Sequence, residues 1–161
     1  MNKPYIEIII GEQKLRHVDV DGVMHEYVIS TGKNGGGERL DSECTPRGKH
    51  VIAEKIGTGC APDTVFVGRH PTGEHYQPEL RRKHPDRDWI LTRILWLAGT
   101  ETNKNRGGDV DTYTRYIYIH GAPDDVEMGI PGSRGCIRMR NADVIELFDN
   151  VDVGTPVIIN E

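Results

Sequence analysis

Apolar and polar positions in this 161-residue chain alternate in short runs, the pattern of strands rather than of long helices. Ile6 to Ile10, interrupted by Glu7 and closed by Gly11, predicts a first strand, and Lys14 to Val20 predicts a second. Asp21-Gly22 is a two-residue hairpin signal leading into a third, Val23 to Ser30. A long polar stretch, Thr31 to Lys49, carries Gly35-Gly36-Gly37 and Thr45-Pro46-Arg47-Gly48 and reads as a loop of the length that compact domains keep for function or motion. His50 to Ile56 predicts the next strand. Residues 68 to 88, with His70, His75, His84 and three prolines, lack periodicity and read as a surface insertion bordering a cleft. Trp89 to Leu97 predicts a strand ended by Gly99, although its apolar spacing also satisfies a helix. Asn105 to Thr112 reads as a loop.

The clearest strand is Arg115 to His120. Its period of two places Tyr116, Tyr118 and His120 on one face and Ile117 and Ile119 on the other. Asn141 is placed to cap a short helix, with Asp143 at its positive end and Val144, Ile145, Leu147 and Phe148 as its apolar side. Gly154-Thr155-Pro156 leads into a last strand, Val157 to Asn160. The expected fold is one mainly β domain over residues 1–161, with a short helix and mixed sheets around a cleft.

Composition narrows the function classes. A formal charge of -5 argues against general nucleic-acid binding, which uses a basic face. The basic run from Arg81 to Arg87 is interleaved with Pro85 and Asp86 and reads as a solvated loop. No apolar run is long enough to span a membrane, and the N-terminus lacks a secretory pattern. The expectation is a soluble cytoplasmic protein, or a periplasmic one if a leader precedes this sequence. Cys44, Cys60 and Cys136 make an odd count, which fits a reducing compartment; the first two read as small, partly buried residues.

Chemistry concentrates at Tyr118-Ile119-His120-Gly121 and at Ser133-Arg134-Gly135-Cys136-Ile137-Arg138. An imidazole ending a strand can take the proton of a cysteine presented by a glycine-containing loop, and the thiolate can attack an acyl carbon. Gly135 lets main-chain amides come close to a ligand, so the N–H groups of Arg134, Gly135 and Cys136 are candidates for an oxyanion hole. His120, Arg134 and Arg138 can each favour the thiolate. Arg138 can instead hold a substrate carboxylate in a bidentate pair. Ser133 lacks the Gly-x-Ser-x-Gly context of a nucleophile and reads as a turn residue. The histidines match no zinc spacing, and neither metal nor cofactor is called for.

These residues resemble the YkuD-type L,D-transpeptidase catalytic domain: a strand ending in His-Gly, then Ser-x-Gly-Cys-Ile-Arg-Met, a capped helix, and Gly-Thr-Pro-Val-Ile-Ile. Ser30-Thr31-Gly32 and Thr45-Pro46-Arg47-Gly48 extend the resemblance upstream, whereas residues 68 to 112 match it loosely. The resemblance implies a β-rich fold around a cleft and an attack by Cys136 on the peptidoglycan tetrapeptide stem, at the bond joining the diamino acid to D-alanine. It makes His120 the base, the Gly121 carbonyl the group that orients the imidazole, and Ser133 and Gly135 the shapers of the oxyanion loop. It also implies acylation by carbapenems. Arg134 departs from the family's usual histidine. With no export segment in view, the expected activity is an L,D-carboxypeptidase on muropeptides in cell-wall recycling. The alternatives are a cross-linking L,D-transpeptidase and a non-catalytic muropeptide-binding module.

Overall fold

The computed structural model describes residues 3–161. Among these residues the strands are β1 (Tyr5–Ile9), β2 (Lys14–Val18), β3 (Met24–Ser30), β4 (Gly48–Ile56), β5 (Thr64–Val67), β6 (His70–His75), β7 (Ile90–Gly99), β8 (Tyr118–Gly121), β9 (Ile137–Met139) and β10 (Pro156–Asn160). Helix α1 (Pro78–Lys83) lies between β6 and β7, and α2 (Asn141–Asp149) between β9 and β10. The fold is mostly β, as the alternating pattern predicts.

The strands form one sheet in the order β4-β10-β1-β2-β3-β9-β8-β7-β5-β6, and β4 also pairs with β7. That extra pairing closes the sheet from β4 round to β7 into a barrel-like ring. The β5–β6 hairpin hangs from the first residues of β7, where Val65 pairs with Leu91. Two pairings are parallel, β1 with β10 and β8 with β9. The second brings the His120 strand alongside the segment that follows Cys136.

Alternation decides what fills the ring. Ile6 and Ile8 of β1 and Leu15 of β2 are fully buried, while Glu7 and Arg16 between them face out and pair with each other. Val144, Leu147 and Phe148 of α2 join this cluster together with Leu95, Ile119 and Ile137. The helix therefore plugs the barrel directly behind β7 and β8 and fixes the strands that carry the chemistry. Each such buried side chain contributes about 1.5–3 kcal/mol.

Several elements differ from the sequence expectation. The residue 68 to 88 segment holds ordered structure, namely β6 and α1. Arg81 to Lys83 end that helix, and ion pairs link Arg81 to Asp125 and Arg87 to Glu74, each at 3.0 Å. Its short, polar strand has no buried face, so it leaves no hydrophobic period to read. The strand expected from Arg115 begins only at Tyr118, because Tyr116 has φ 57° and breaks the extended run. Tyr116 consequently leaves the face shared by Tyr118 and His120 and lies exposed. The strands at Thr64–Val67 and Ile137–Met139 are too short to announce themselves.

His50 on β4 gives the fold a pH dependence. Its ring is buried, with Nδ1 donating to Gly48 O at 3.0 Å and Nε2 accepting from Thr112 Oγ1 at 2.9 Å. Burial lowers its pKa to about 4, against partial opposition from the Gly48 carbonyl, Glu101 and Glu38. The unfolded chain takes up this proton near pH 6.5 and the folded chain resists until about 4, so stability is complete above pH 6.5 and falls as the pH drops. Urea unfolding is expected to lose up to about 1.4 kcal/mol per pH unit through this group between pH 6.5 and 4, and His50→Gln to remove that share of the slope. An unchanged slope in His50→Gln would assign the acid sensitivity elsewhere.

Candidate active site

The parallel register of β8 and β9 sets Ile119 against Ile137, His120 against Arg138 and Gly121 against Met139. One step earlier Tyr118 meets Cys136, and its N–H donates to Cys136 Sγ at 3.3 Å. With a side-chain period of two, Tyr118 and His120 share a face, and the register places Cys136 on the adjacent segment, two positions before Arg138, the residue opposite His120. The structure thus brings together the two residues that carry the sequence argument.

His120 is fully buried, and its Nδ1 donates to the carbonyl of Gly121 at 2.6 Å. A carbonyl partner requires the proton on Nδ1, which leaves the lone pair on Nε2. Nε2 is buried and has no hydrogen-bond partner among the described residues. Burial lowers the imidazole pKa, and Arg138 adds to this; Asp88 and the Gly121 carbonyl pull it up. The half-buried Cys136 thiol is pushed up to about 12 by burial and then by Asp88, against the Tyr118 N–H, Arg138 and Arg115. Both directions describe a neutral resting pair. Cys136 Sγ donates to Tyr116 O at 3.4 Å.

The cysteine loop is held by the two upstream motifs. Thr31 O accepts from the amides of Gly132 and Ser133, each at 2.9 Å, and Lys33 N–H donates to Ser133 O at 2.8 Å. Thr45 Oγ1 accepts from Gly32 N–H at 2.8 Å and donates to Gly135 O at 2.9 Å. Gly135 has φ 122°, and a Cβ there would stand 3.0 Å from Cys44 O, so the position requires glycine. Ser133 Oγ donates to Cys136 O at 2.5 Å and accepts from Gly135 N–H at 3.1 Å, the loop-shaping part its context suggested. That second bond corrects one expectation: the Gly135 amide is consumed within the loop, which leaves Arg134 and Cys136 N–H as the candidate oxyanion donors.

A cavity of about 340 Å³ opens beside Cys136 and is lined by Tyr118, Ile117, Arg115, Arg134, Arg69 and Asp88, among others. A second cleft of about 210 Å³ adjoins it through Asp88 and Arg134 and includes Arg138. The arginines differ in how they are engaged. Arg138 donates to Gly132 O at 3.1 Å and faces Asp88 at 3.7 Å, so its charge is partly answered within the protein rather than held open for a substrate carboxylate. Exposed Arg134 donates to Asp86 O at 2.9 Å and ties the cysteine loop to the segment before β7. Arg115 donates to Glu38 O at 3.1 Å and Cys44 O at 2.7 Å. Asp88, Arg115 and Arg69 escaped the sequence reading because each lies outside the motifs and reaches the site only through tertiary packing.

The profile of the YkuD family, the L,D-transpeptidase catalytic domain, matches residues 3–159. The chain belongs to that family. A probable L,D-transpeptidase ErfK/SrfK of Escherichia coli K12 is 51% identical over 83 residues, which cover 51% of this chain and 26% of that protein. A putative L,D-transpeptidase YkuD of Bacillus subtilis is 42% identical over 62 residues, covering 35% of this chain and 38% of that one. The matches thus span well under half the length of these relatives. The fold is also that of L,D-transpeptidase 3 from Mycobacterium tuberculosis, solved with a faropenem-derived adduct: TM-score 0.59 and 18% identity, over 98% of this chain and 61% of that one. Residues 3–159 are thus an L,D-transpeptidase catalytic domain by family.

In this L,D-transpeptidase domain, Asn141 does something other than cap α2. Arg140 occupies the cap position without a side-chain cap bond, and Asn141 is the first helical residue, its side chain buried. Asn141 Oδ1 accepts from Thr92 Oγ1 at 2.6 Å, and Nδ2 donates to Ala122 O at 3.0 Å and Asp63 Oδ1 at 3.1 Å. Thr92 is fully buried at φ 76°, inside the bulge where β7 slips past His120 and Gly121. A β-branched residue in that region is strained, and the Asn141 bonds help hold it. Asn141→Ala strands these groups and is expected to cost about 1–3 kcal/mol in urea unfolding. A change below 0.5 kcal/mol, on the order of an ordinary surface substitution, would assign the network little weight.

Proposed function

We propose that Cys136 takes an acyl group from a peptidoglycan tetrapeptide stem, at the bond between the diamino acid and D-alanine, and passes it to water, an L,D-carboxypeptidase reaction. The observation that carries this reading is the buried Nε2 of His120, without a partner among the described residues, held in its tautomer by Gly121 O on the strand next to the Cys136 segment. The Sγ–H proton moves to Nε2 as sulfur attacks the carbonyl carbon, and the oxyanion is met by the amides of Arg134 and Cys136. The imidazolium then returns the proton to the leaving nitrogen, so the C–N bond breaks and D-alanine departs. Water gives a proton to Nε2 as its oxygen attacks the thioester, and the C–S bond breaks to release the tripeptide acid while the imidazolium returns the proton to Sγ. Asp88 favours the imidazolium half of the pair and opposes the thiolate half.

The second cleft favours a further reading, in which an amine replaces water: Asp88 lines both cavities and would attract an ammonium group next to the thioester. A non-catalytic muropeptide-binding module has no use for an imidazole without a partner beside a thiol. Incubation with a purified tetrapeptide, with and without an amine acceptor, followed by mass spectrometry, tests all three. Tripeptide plus D-alanine in both mixtures supports the carboxypeptidase, and a dominant cross-linked product reverses the order. Absence of both products, together with no covalent adduct from a carbapenem, would overturn acyl transfer altogether.

A further inference from the structure

Arg69 sits where the sequence offers no reason for an arginine. Gly68 and Arg69 are the two central residues of the β5–β6 hairpin turn, with φ 55° and 67°, a geometry that glycine, asparagine and aspartate normally supply. The strained position sets the guanidinium against an aromatic wall, 4.8 Å from the Trp96 ring centre and 5.0 Å from that of Tyr116. One Nη1–H donates to Tyr118 Oη at 3.2 Å. The wall is itself fixed: Trp96 stacks on Tyr113 at 4.0 Å and donates Nε1–H to Tyr113 O at 3.0 Å.

The guanidinium lines the same cavity as Cys136, and its partner Tyr118 is the residue whose amide holds the sulfur. The other cations of that cavity are engaged, Arg115 by carbonyls and Arg134 by Asp86 O. Arg69 has no carboxylate and no carbonyl on its side chain among the described residues. A guanidinium oriented by stacking, with most of its donors unused, is prepared for a planar anion.

We propose that Arg69 binds the free α-carboxylate of the D-amino acid that leaves, making it a specificity-determining residue for stems that end in that acid. The inference rests on the acyl-transfer reading above. Connectivity selects this anion: the carboxylate is joined through one carbon to the leaving nitrogen, so it must lie close to the sulfur during attack. Asp88 in the same cavity repels it, and so helps to fix which way the stem lies.

The test compares kcat/KM for a tetrapeptide with that for the same peptide ending in a carboxamide, in the wild-type protein, in Arg69→Met and in Arg69→Lys. The wild type is expected to favour the free acid by about 10- to 100-fold, the value of a charge-assisted hydrogen bond. Arg69→Met should bring the ratio close to one by losing activity on the acid alone, and Arg69→Lys should fall between. Equal losses on both substrates would make Arg69 a hairpin clamp and overturn the inference. A wild type that cleaves both peptides equally overturns it without any variant. Cleavage of neither peptide by the wild type removes the acyl-transfer reading and this inference with it.

Discussion

Cys136→Ala is expected to abolish D-alanine release from a tetrapeptide while unfolding within about 1 kcal/mol of the wild type. The thiol supplies the only nucleophile the loop presents, since Ser133 Oγ is committed to Cys136 O and Gly135 N–H. Its structural share is small: Sγ makes two long contacts, to Tyr118 N and Tyr116 O, and the residue is half-buried. Cys44→Ala and Cys60→Ala should keep turnover, because neither thiol adjoins the imidazole through the β8–β9 register. Carbapenem labelling offers an independent measure: mass spectrometry should find an adduct on the wild type and on both of those variants, and none on Cys136→Ala. D-Alanine release by Cys136→Ala would refute cysteine catalysis here.

The candidate pair His120 and Cys136 stands out in the sequence because the features that suggest it are local. His120-Gly121 supplies a ring and, in the next residue, the carbonyl that fixes its tautomer, while Gly135 marks the φ that the loop before Cys136 demands. The upstream motifs could be found but not interpreted from sequence alone. Only the fold shows that Thr31 and Thr45 hold the cysteine loop across a gap of some ninety residues in the chain, as the Thr45 to Gly135 bond does. Asp88, Arg69 and Trp96 were illegible for a related reason. A surface charge and a cavity charge look alike in a sequence, and what separates them is the β5–β6 hairpin folded against β7. The helix cap expected at Asn141 is absent because a buried polar network outcompetes the local bond: Thr92 donates to its Oδ1, and Asp63 and Ala122 accept from its Nδ2.

His120→Ala should lower D-alanine release by about 10²- to 10⁴-fold, the range expected for a general base, with a much smaller change in substrate binding. The argument begins with the thiol. Burial and Asp88 hold its pKa near 12, so at neutral pH an unassisted thiolate is scarce, and Tyr118 N–H with two arginines does not reverse the balance. In the proposed reaction Nε2 is the acceptor, and its transfer product is an ion pair in which each charge stabilises the other. Removing the ring should therefore slow iodoacetamide alkylation of Cys136 at pH 7 and shift its rise toward alkaline pH. His120→Gln separates chemistry from packing, since it fills more of the vacated space yet cannot accept and return the proton. Equal turnover and equal alkylation profiles in wild type and His120→Ala would reduce His120 to a structural residue.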